Sequence, residues 1–141
     1  SVSEGTFPKP DEWLTNLKAD IIVAFFGFSE SYAGQAGLAN FRAELAAFIK
    51  HTQRQRYNRN AGPGRSAPQL ALVSPIAFED LSKQFDLPNG VAENRNLSLY
   101  SKAMGEVARQ HGVLFLDAFT PSQGWYRSGQ ALTIDGLQLN E

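Results

Sequence analysis

Three apolar segments along the chain predict the strands of one sheet. They cover residues 20–28, 70–75 and 113–117, and their apolar residues run continuously instead of alternating with polar ones. Continuous runs of this length are typical of strands that are covered on both faces. The longest of them, Ile21–Phe28, is far too short to cross a lipid bilayer. We therefore expect three buried strands and no membrane span.

Apolar residues at helical spacing follow each of the first two segments. The first predicted helix begins near Leu38, and the second covers residues 96–111 and ends at Gly112, a residue type common at helix ends. A shorter helix is predicted over Asp11–Leu17, whereas residues 76–94 have no regular pattern. The apolar positions are Leu38, Phe41, Leu45, Phe48 and Ile49 in the first helix, and Leu97, Tyr100, Met104, Val107 and Ala108 in the second.

The succession of strand, helix, strand, helix and strand is that of a parallel sheet with right-handed crossover connections. It predicts an α/β fold, and the 141 residues fit one domain. In such sheets, sites form at the carboxyl ends of the strands. The polar residues predicted at that edge are Ser29, Glu30, Ser74, Glu79 and Asp117.

The amino-acid composition excludes several classes of partner and cofactor. Thirteen basic against fourteen acidic residues leave a formal charge of −1, which gives no electrostatic surface for nucleic acid. The chain has no cysteine, so disulfides, thiolate metal sites and a cysteine nucleophile are excluded. Glu30 and Glu79 are candidate cation ligands, but no residues stand at metal-ligand spacing, and we expect neither a metal nor another cofactor. Residues 1–13 are polar and acidic, unlike a signal peptide, and the compartment stays open, a bacterial periplasm or secretion included.

The sequence Gly27-Phe28-Ser29, at the end of the first strand, is similar to the nucleophile elbow of esterases. A serine nucleophile needs a base within hydrogen-bond reach, and this base is normally a histidine. His51 and His111 are both predicted at the opposite edge of the sheet, about 16 Å away across a five-residue strand. Neither histidine is therefore expected to serve Ser29.

The residues around Ser29 also differ from an elbow. That motif has small residues on both sides of the serine and a helix that starts immediately after it. Here Phe28 and Glu30 flank the serine, and the next predicted helix begins only near Leu38. We expect that Ser29 is not a nucleophile.

Three sequence blocks together resemble the SGNH (GDSL-type) hydrolase family, in the branch common in environmental bacteria such as planctomycetes. They are "FFGFSESYAGQAGLANF", "VLFLDAFTP" and "LTIDGLQLNE", and the resemblance covers roughly residues 5–141. It implies a three-layer α/β/α, flavodoxin-like sandwich with a parallel sheet. It also implies hydrolysis of small-molecule acyl esters or acetylated carbohydrates, without a cofactor.

The resemblance assigns roles to residues near the end of the chain. In the family, a serine attacks the acyl carbon, a late histidine is its base, and a late aspartate supports that histidine. The late aspartate corresponds to Asp135, and the late histidine corresponds to Gln138. An amide can form hydrogen bonds but has no useful basicity, so Gln138 cannot take a proton from a serine.

The resemblance also assigns the turn after the first strand to the oxyanion and substrate side of the site. A family block that reads Gly-x-Asn corresponds to Gly27, Phe28 and Ser29, followed by Glu30. Ser29 thus stands where the family has an oxyanion-binding Asn, and its hydroxyl offers a single donor on a shorter side chain. The other interpretation of Ser29 is a turn serine bonded to the local backbone.

The family blocks that hold the nucleophile and the oxyanion glycine have no counterpart in the sequence and would precede Ser1. The resemblance therefore makes residues 1–141 the C-terminal portion of a single hydrolase domain, inactive as it stands. The missing first strand would pair with residues 21–28. We expect upstream residues or a partner protein to cover that apolar edge.

Two other functions compete with an ester hydrolase. A degenerate hydrolase that serves as a binding or assembly module is favoured by the joint changes at Ser29 and Gln138. A flavodoxin-like nucleotide or phosphate binder is disfavoured, because "GFSESYAG" matches neither a G-x-G-x-x-G turn nor a P-loop.

Overall fold

The sheet is parallel, three-stranded and ordered β1-β2-β3. In a computed structural model, which describes residues 9–18, 20–57, 67–128, 131–133 and 136, the strands are β1 (Ile21–Phe25), β2 (Gln69–Val73) and β3 (Leu114–Leu116). Phe25 pairs with Val73, and Val73 pairs with Leu116, so the carboxyl ends of all three strands lie at one edge. The predicted α/β class is confirmed.

Helices account for most of the remaining described residues. The three predicted helices are present, although the last of them begins several residues earlier than its apolar pattern indicated. Two shorter α-helices and a 3₁₀ helix at Gln35–Gly37 were not predicted. None of the helices in the described part of the chain is long and apolar enough to span a membrane. The helices are α1 (Pro10–Asn16), α2 (Phe28–Ser31), α3 (Leu38–Gln53), α4 (Val91–His111) and α5 (Phe119–Tyr126).

Helix α4 is bounded by two glycines with positive φ angles. Gly90 precedes it at φ 75°, and Gly112 follows it at φ 66°, a backbone region in which a side chain is strained. The N–H of Val113 then donates to the carbonyl of Ala108 at 3.0 Å, which closes the helix end. These glycines explain why α4 starts and stops where it does.

One face of the sheet packs against α3 and α4. Leu70 and Leu72 of β2 are buried in this core, and Ile22 and Ala24 of β1 pack against it from the side. Alternate residues of a strand point to opposite faces, so these positions define the covered face. The helices contribute Phe41, Leu45, Ile49, Tyr100, Ala103, Met104, Val107 and Ala108.

The opposite face of the sheet is exposed among the described residues. Its side chains are Ile21, Val23 and Phe25 of β1 and Leu114 and Leu116 of β3, each of them more than half exposed. The sequence predicted strands covered on both faces, and in the described residues only one face is covered. The apolar residues of β1 and β3 run continuously in sequence because the side chains on both faces of these strands are apolar, including those on the exposed outer face.

We expect the isolated 141-residue chain to self-associate through this outer face, because adjacent large apolar side chains are exposed on it. Replacing Phe25 and Leu116 together by Lys should shift the sedimentation distribution towards monomer and lower the fluorescence of a bound hydrophobic dye. Replacing Phe85 and Val91 by Lys is the control, since both are more than half exposed but lie outside the sheet. Equal effects of the two pairs would contradict the prediction.

At the amino edge, one carboxylate joins α1 to the end of α3. Asp11 Oδ2 lies 2.8 Å from His51 Nε2, and the buried Tyr57 donates its hydroxyl to Asp11 Oδ1. The hydrogen bond from Tyr57, followed by that from His51, lowers the pKa of Asp11 below its ordinary value. Burial and the Asp11 charge raise the pKa of Tyr57. His51 is therefore committed to this structural contact.

Replacing Asp11 by Asn should make the free energy of unfolding change less with pH in the acidic range. Because the pKa of Asp11 is lower in the folded chain, its stabilisation is full above its unfolded pKa and is lost as the pH falls through the folded pKa. The variant should unfold at lower urea than the parent at pH 7, and the gap should narrow below about pH 4. The exposed Asp86→Asn change serves as control. A gap that stays constant down to pH 3 would contradict this account.

Candidate functional site at the carboxyl edge of the sheet

The turn after β1 depends on a glycine. Gly27 is buried at φ 98°, and a Cβ atom there would lie 3.2 Å from Met104 Sδ and 3.3 Å from Pro75 Cδ. A side chain is therefore disfavoured both by the backbone conformation and by the space available. The turn is packed between α4 and the segment that follows β2.

Glu30 and Ser29 have different surroundings in this turn. The Glu30 carboxylate accepts the N–H of Gly27 at 3.1 Å, which ties the start of α2 to the end of the strand. Ser29 is exposed, and its hydroxyl forms no hydrogen bond with the described part of the chain. The local bond to the backbone is made instead by Ser31, whose Oγ donates to the carbonyl of Phe28 at 2.6 Å.

The expectation that no helix starts before about Leu38 was wrong. The single turn of α2 begins at Phe28, directly after Gly27, so Ser29 does lie at the start of a helix. The reason is the Glu30 carboxylate, which caps that first turn through the Gly27 N–H. A helix of four residues leaves no periodic apolar pattern from which it could be predicted.

Both histidines of the chain lie away from this edge. His51 is bonded to Asp11 near the end of α3. The carbonyl of His111, at the last residue of α4, accepts the side-chain N–H of Gln53 at 3.2 Å, which brings these two helix ends together. His111 also precedes β3, whereas Ser29 follows β1 in a parallel sheet. The predicted separation of Ser29 from both histidines fits this arrangement.

Ser74 holds the start of α5 at the end of β2. Its Oγ accepts the N–H groups of Ala118 and Phe119 at 2.9 and 3.1 Å. Asp117 accepts the N–H of Thr120 at 3.1 Å, so its carboxylate also serves the first turn of α5. Ser74 and Asp117 therefore both fix the start of α5 beside the strand ends.

Glu79 binds the backbone near the end of the chain. Its side chain is 3% exposed, and its carboxylate accepts the N–H of Leu132 at 2.9 Å and the N–H of Thr133 at 2.6 Å. The hydroxyl of Thr133 also donates to it, and the N–H of Glu79 itself donates to the carbonyl of Gly136 at 2.8 Å. Glu79 was considered as a cation ligand from sequence. Its carboxylate is instead used by backbone and hydroxyl donors.

Phe78 packs against two glycines that lie far apart in sequence. A Cβ atom at Gly90 would lie 2.4 Å from Phe78 Cδ1, and one at Gly136 would lie 2.5 Å from Phe78 Cε1. Asn94 of α4 fixes the backbone of Phe78, because its amide donates to the Phe78 carbonyl at 2.9 Å and accepts the Phe78 N–H at 2.7 Å. Residues 78 and 79 therefore join α4 to the region of Thr133 and Gly136.

The adjacent aromatic residues Trp125 and Tyr126, at the end of α5, could in principle line a substrate rim or form a small core cluster. Tyr126 packs against the buried cluster of Ala77, Phe78, Leu97 and Phe119, and burial together with the Glu79 charge raises its pKa. Trp125 is half exposed. The cluster interpretation therefore holds for Tyr126 and not for Trp125.

Asp135 and Gln138 lie outside the described residues, so their roles stay predictions. In sequence, Asp135 falls between Thr133 and Gly136, the two described residues that are bonded to Glu79. Within the described ranges, no group of three His, Cys, Asp or Glu side chains lies together as a metal site would require.

The chain is similar to known proteins in its structure. No protein-family model and no curated protein matches the chain. Solved structures do match. Axe2, an acetylxylan esterase from Geobacillus stearothermophilus, superposes with a TM-score of 0.61 at 15% identity, over 89% of this chain. The aryl esterase of M. smegmatis gives a TM-score of 0.55 at 14% identity, over 92% of this chain.

The chain shares its fold with esterases. At this level of identity the likeness concerns the fold alone. The chain spans 54% of the length of Axe2 and 59% of that of the aryl esterase, so a little over half of each esterase has a counterpart in these residues.

Replacing Glu79 by Ala should destabilise the protein by about 2–4 kcal/mol, because buried N–H donors of Leu132 and Thr133 would lose their acceptor. Urea unfolding measures the total effect, and amide hydrogen exchange at residues 132 and 133 measures the local one. The control is Glu44→Ala, an exposed position on α3, which should change stability by less than about 0.5 kcal/mol. Unchanged protection of the two amides in the Glu79 variant would refute the contact.

Proposed function

We propose that the chain is the C-terminal portion of an SGNH (GDSL-type) ester hydrolase domain, of the branch common in planctomycetes. Its substrates are proposed to be acyl esters of small molecules or acetylated carbohydrates. The fold shared with two esterases, one of which acts on acetylated xylan by its name, supports the class of reaction. The turn at Gly27 and the block around Asp135 supply the candidate site residues.

One observation carries this proposal. The segment between Pro75 and Glu79, which follows β2, contacts both blocks that the family resemblance pairs in a site. Pro75 packs against Gly27, and Glu79 binds the backbone at Leu132 and Thr133. Two regions far apart in the sequence are thus held at one edge of the sheet, where ligands bind in parallel α/β folds.

We assign the roles as follows. The exposed Ser29 hydroxyl is available to donate to the carbonyl oxygen of an ester, on the oxyanion side of the site. Gly27 and Glu30 keep the turn in shape through their mutual hydrogen bond. Asp135 supports the base position, which Gln138 occupies. Because an amide cannot accept the proton of a serine nucleophile, we propose that the 141-residue chain does not hydrolyse esters by itself.

The purified 141-residue chain should therefore not hydrolyse p-nitrophenyl acetate or acetylated xylo-oligosaccharides above the rate of buffer alone. The measurement is release of nitrophenolate or acetate, with the Ser29→Ala variant assayed in parallel. Hydrolysis that persists in Ser29→Ala would show that the reaction uses another site. Hydrolysis that disappears in Ser29→Ala would make Ser29 the nucleophile.

The intact mass of the native polypeptide, measured under denaturing conditions, decides which protein to test next. A mass well above 15.5 kDa would mean that the cell joins these residues to a further segment, where a nucleophile block should be sought. In that longer polypeptide, Gln138→His should restore hydrolysis if only the base has been lost. A mass of about 15.5 kDa would remove hydrolysis from consideration.

The second candidate function is a degenerate hydrolase that acts as a binding or assembly module. It is favoured by the substitution of two family positions, Ser29 and Gln138, in one chain. The edge of β1, which pairs with no further strand in the described part of the chain, is then proposed to receive an upstream segment or a protein partner beside residues 21–28. Ligand binding without turnover in the longest natural polypeptide, unaltered by Gln138→His, would support this function.

A further inference from the structure

A polar groove lies between α4, β3 and α5, away from the turn at Gly27. We call it the α4–α5 groove and define it by Ser101, Lys102, Glu106, Arg109, Phe115 and Gln123, which contribute to its lining. Its volume is about 600 Å³, within the usual range of small-molecule sites. The proposed ester hydrolase function leaves this groove without a role.

A buried hydroxyl without a partner lines the groove. Ser101 is 5% exposed, and its Oγ has no hydrogen-bond partner in the described part of the chain. Other buried serines are satisfied: Ser122 Oγ accepts the N–H of Ala77 at 2.8 Å and donates to the carbonyl of Phe119 at 2.7 Å. Buried polar groups normally find partners, because leaving one unpaired destabilises the folded protein. The Ser101 hydroxyl is therefore suited to bond a ligand.

The charges of the groove compensate one another. Lys102 and Arg109 stand on the same helix as Glu106, and Asp117 completes the lining from the end of β3. Glu106 is also bonded to Arg42 at 2.6 Å, and that bond, followed by the nearby positive charges, lowers the pKa of Glu106. Among the described residues of the lining, two cations stand with two carboxylates, and Arg42 is paired with one of these carboxylates. Such a surface offers both donors and acceptors.

The groove also has an aromatic surface. Phe115 lies directly against Gly105 of α4, where a Cβ atom would come within 3.0 Å of its ring. Phe115 is partly buried against the main core, and it lines the groove together with Gly105. The face of an aromatic ring carries a partial negative charge that attracts C–H groups, such as those on one face of a sugar ring.

We propose that the α4–α5 groove binds a neutral carbohydrate. Its hydroxyls would bond Ser101 and the paired charges, and a sugar ring would pack on Phe115. A polyol both donates and accepts hydrogen bonds and carries no charge, which matches the lining in each respect. The inference goes beyond the proposed ester hydrolase function and does not depend on it, because none of Gly27, Ser29 and Glu30 lines the groove.

The test is a titration of the ¹⁵N-labelled 141-residue chain with xylotriose and with cellotriose, followed by amide chemical shifts. Inorganic phosphate is titrated separately. At about 10 mM probe, where a millimolar complex is detectable, one of the sugars should shift amides of residues 101–109 and 115–123. Ser101→Ala should weaken this binding about fivefold, the effect of losing one neutral hydrogen bond, without lowering stability.

Phe115→Leu should also weaken sugar binding, whereas Ser128→Ala, an exposed serine after α5, should leave it unchanged. Three outcomes would overturn the proposal: no shift with either sugar, sugar-induced shifts confined to residues 27–31, or tighter binding of phosphate than of the sugars at the groove. Shifts confined to residues 27–31 would still support binding at the candidate ester site. The two proposals can therefore fail separately.

Discussion

Packing of α4 across the strand ends is the constraint on which the rest of the structure depends. Met104 lies against Gly27, so its side chain supports the turn after β1. Tyr100 is fully buried, packs against Phe41 with ring centroids 4.8 Å apart, and donates its hydroxyl to the carbonyl of Gly34 at 2.9 Å. One turn of this helix therefore holds both ends of the loop that carries Ser29.

The same helix reaches the other parts of the carboxyl edge. Asn94, in its first turns, fixes the backbone at Phe78, and Glu79 then binds the region of Leu132 and Thr133. Further along, Gly105 accommodates the Phe115 ring of β3. The turn at Gly27 and the α4–α5 groove thus contact different residues of the same helix.

The sequence predicts the parts of this arrangement that leave a periodic pattern. The strands, α3 and most of α4 follow from runs and repeats of apolar residues, and the parallel order follows from their alternation. The short helices do not follow from such a pattern. Helix α2 is capped by Glu30, and α5 is held by the hydroxyl of Ser74, a residue distant in sequence. A bond of that kind depends on tertiary structure, so no local window of sequence reveals it.

In the candidate site, too, some residues could be placed from the sequence pattern and others depend on tertiary contacts. Gly27, Ser29 and Glu30 could be placed at the strand end from the pattern alone, and the structure puts them there. The contacts of Glu79 could not be predicted, because its partners lie more than fifty positions further along the chain. Its carboxylate also looks, in sequence, like any acidic residue in an irregular region. What sequence reasoning considered as a cation ligand is a structural acceptor.

The Phe78 ring between Gly90 and Gly136 limits how these positions can change during evolution. A side chain at either glycine first requires a smaller residue at position 78, since the ring occupies the space that a Cβ atom would need. Even then the positive φ angles, 75° and 93°, continue to disfavour most side chains. The order of substitutions therefore matters. Position 78 can change first, and after that change only a few residue types could replace either glycine. Among homologues, the three positions should change as a dependent set.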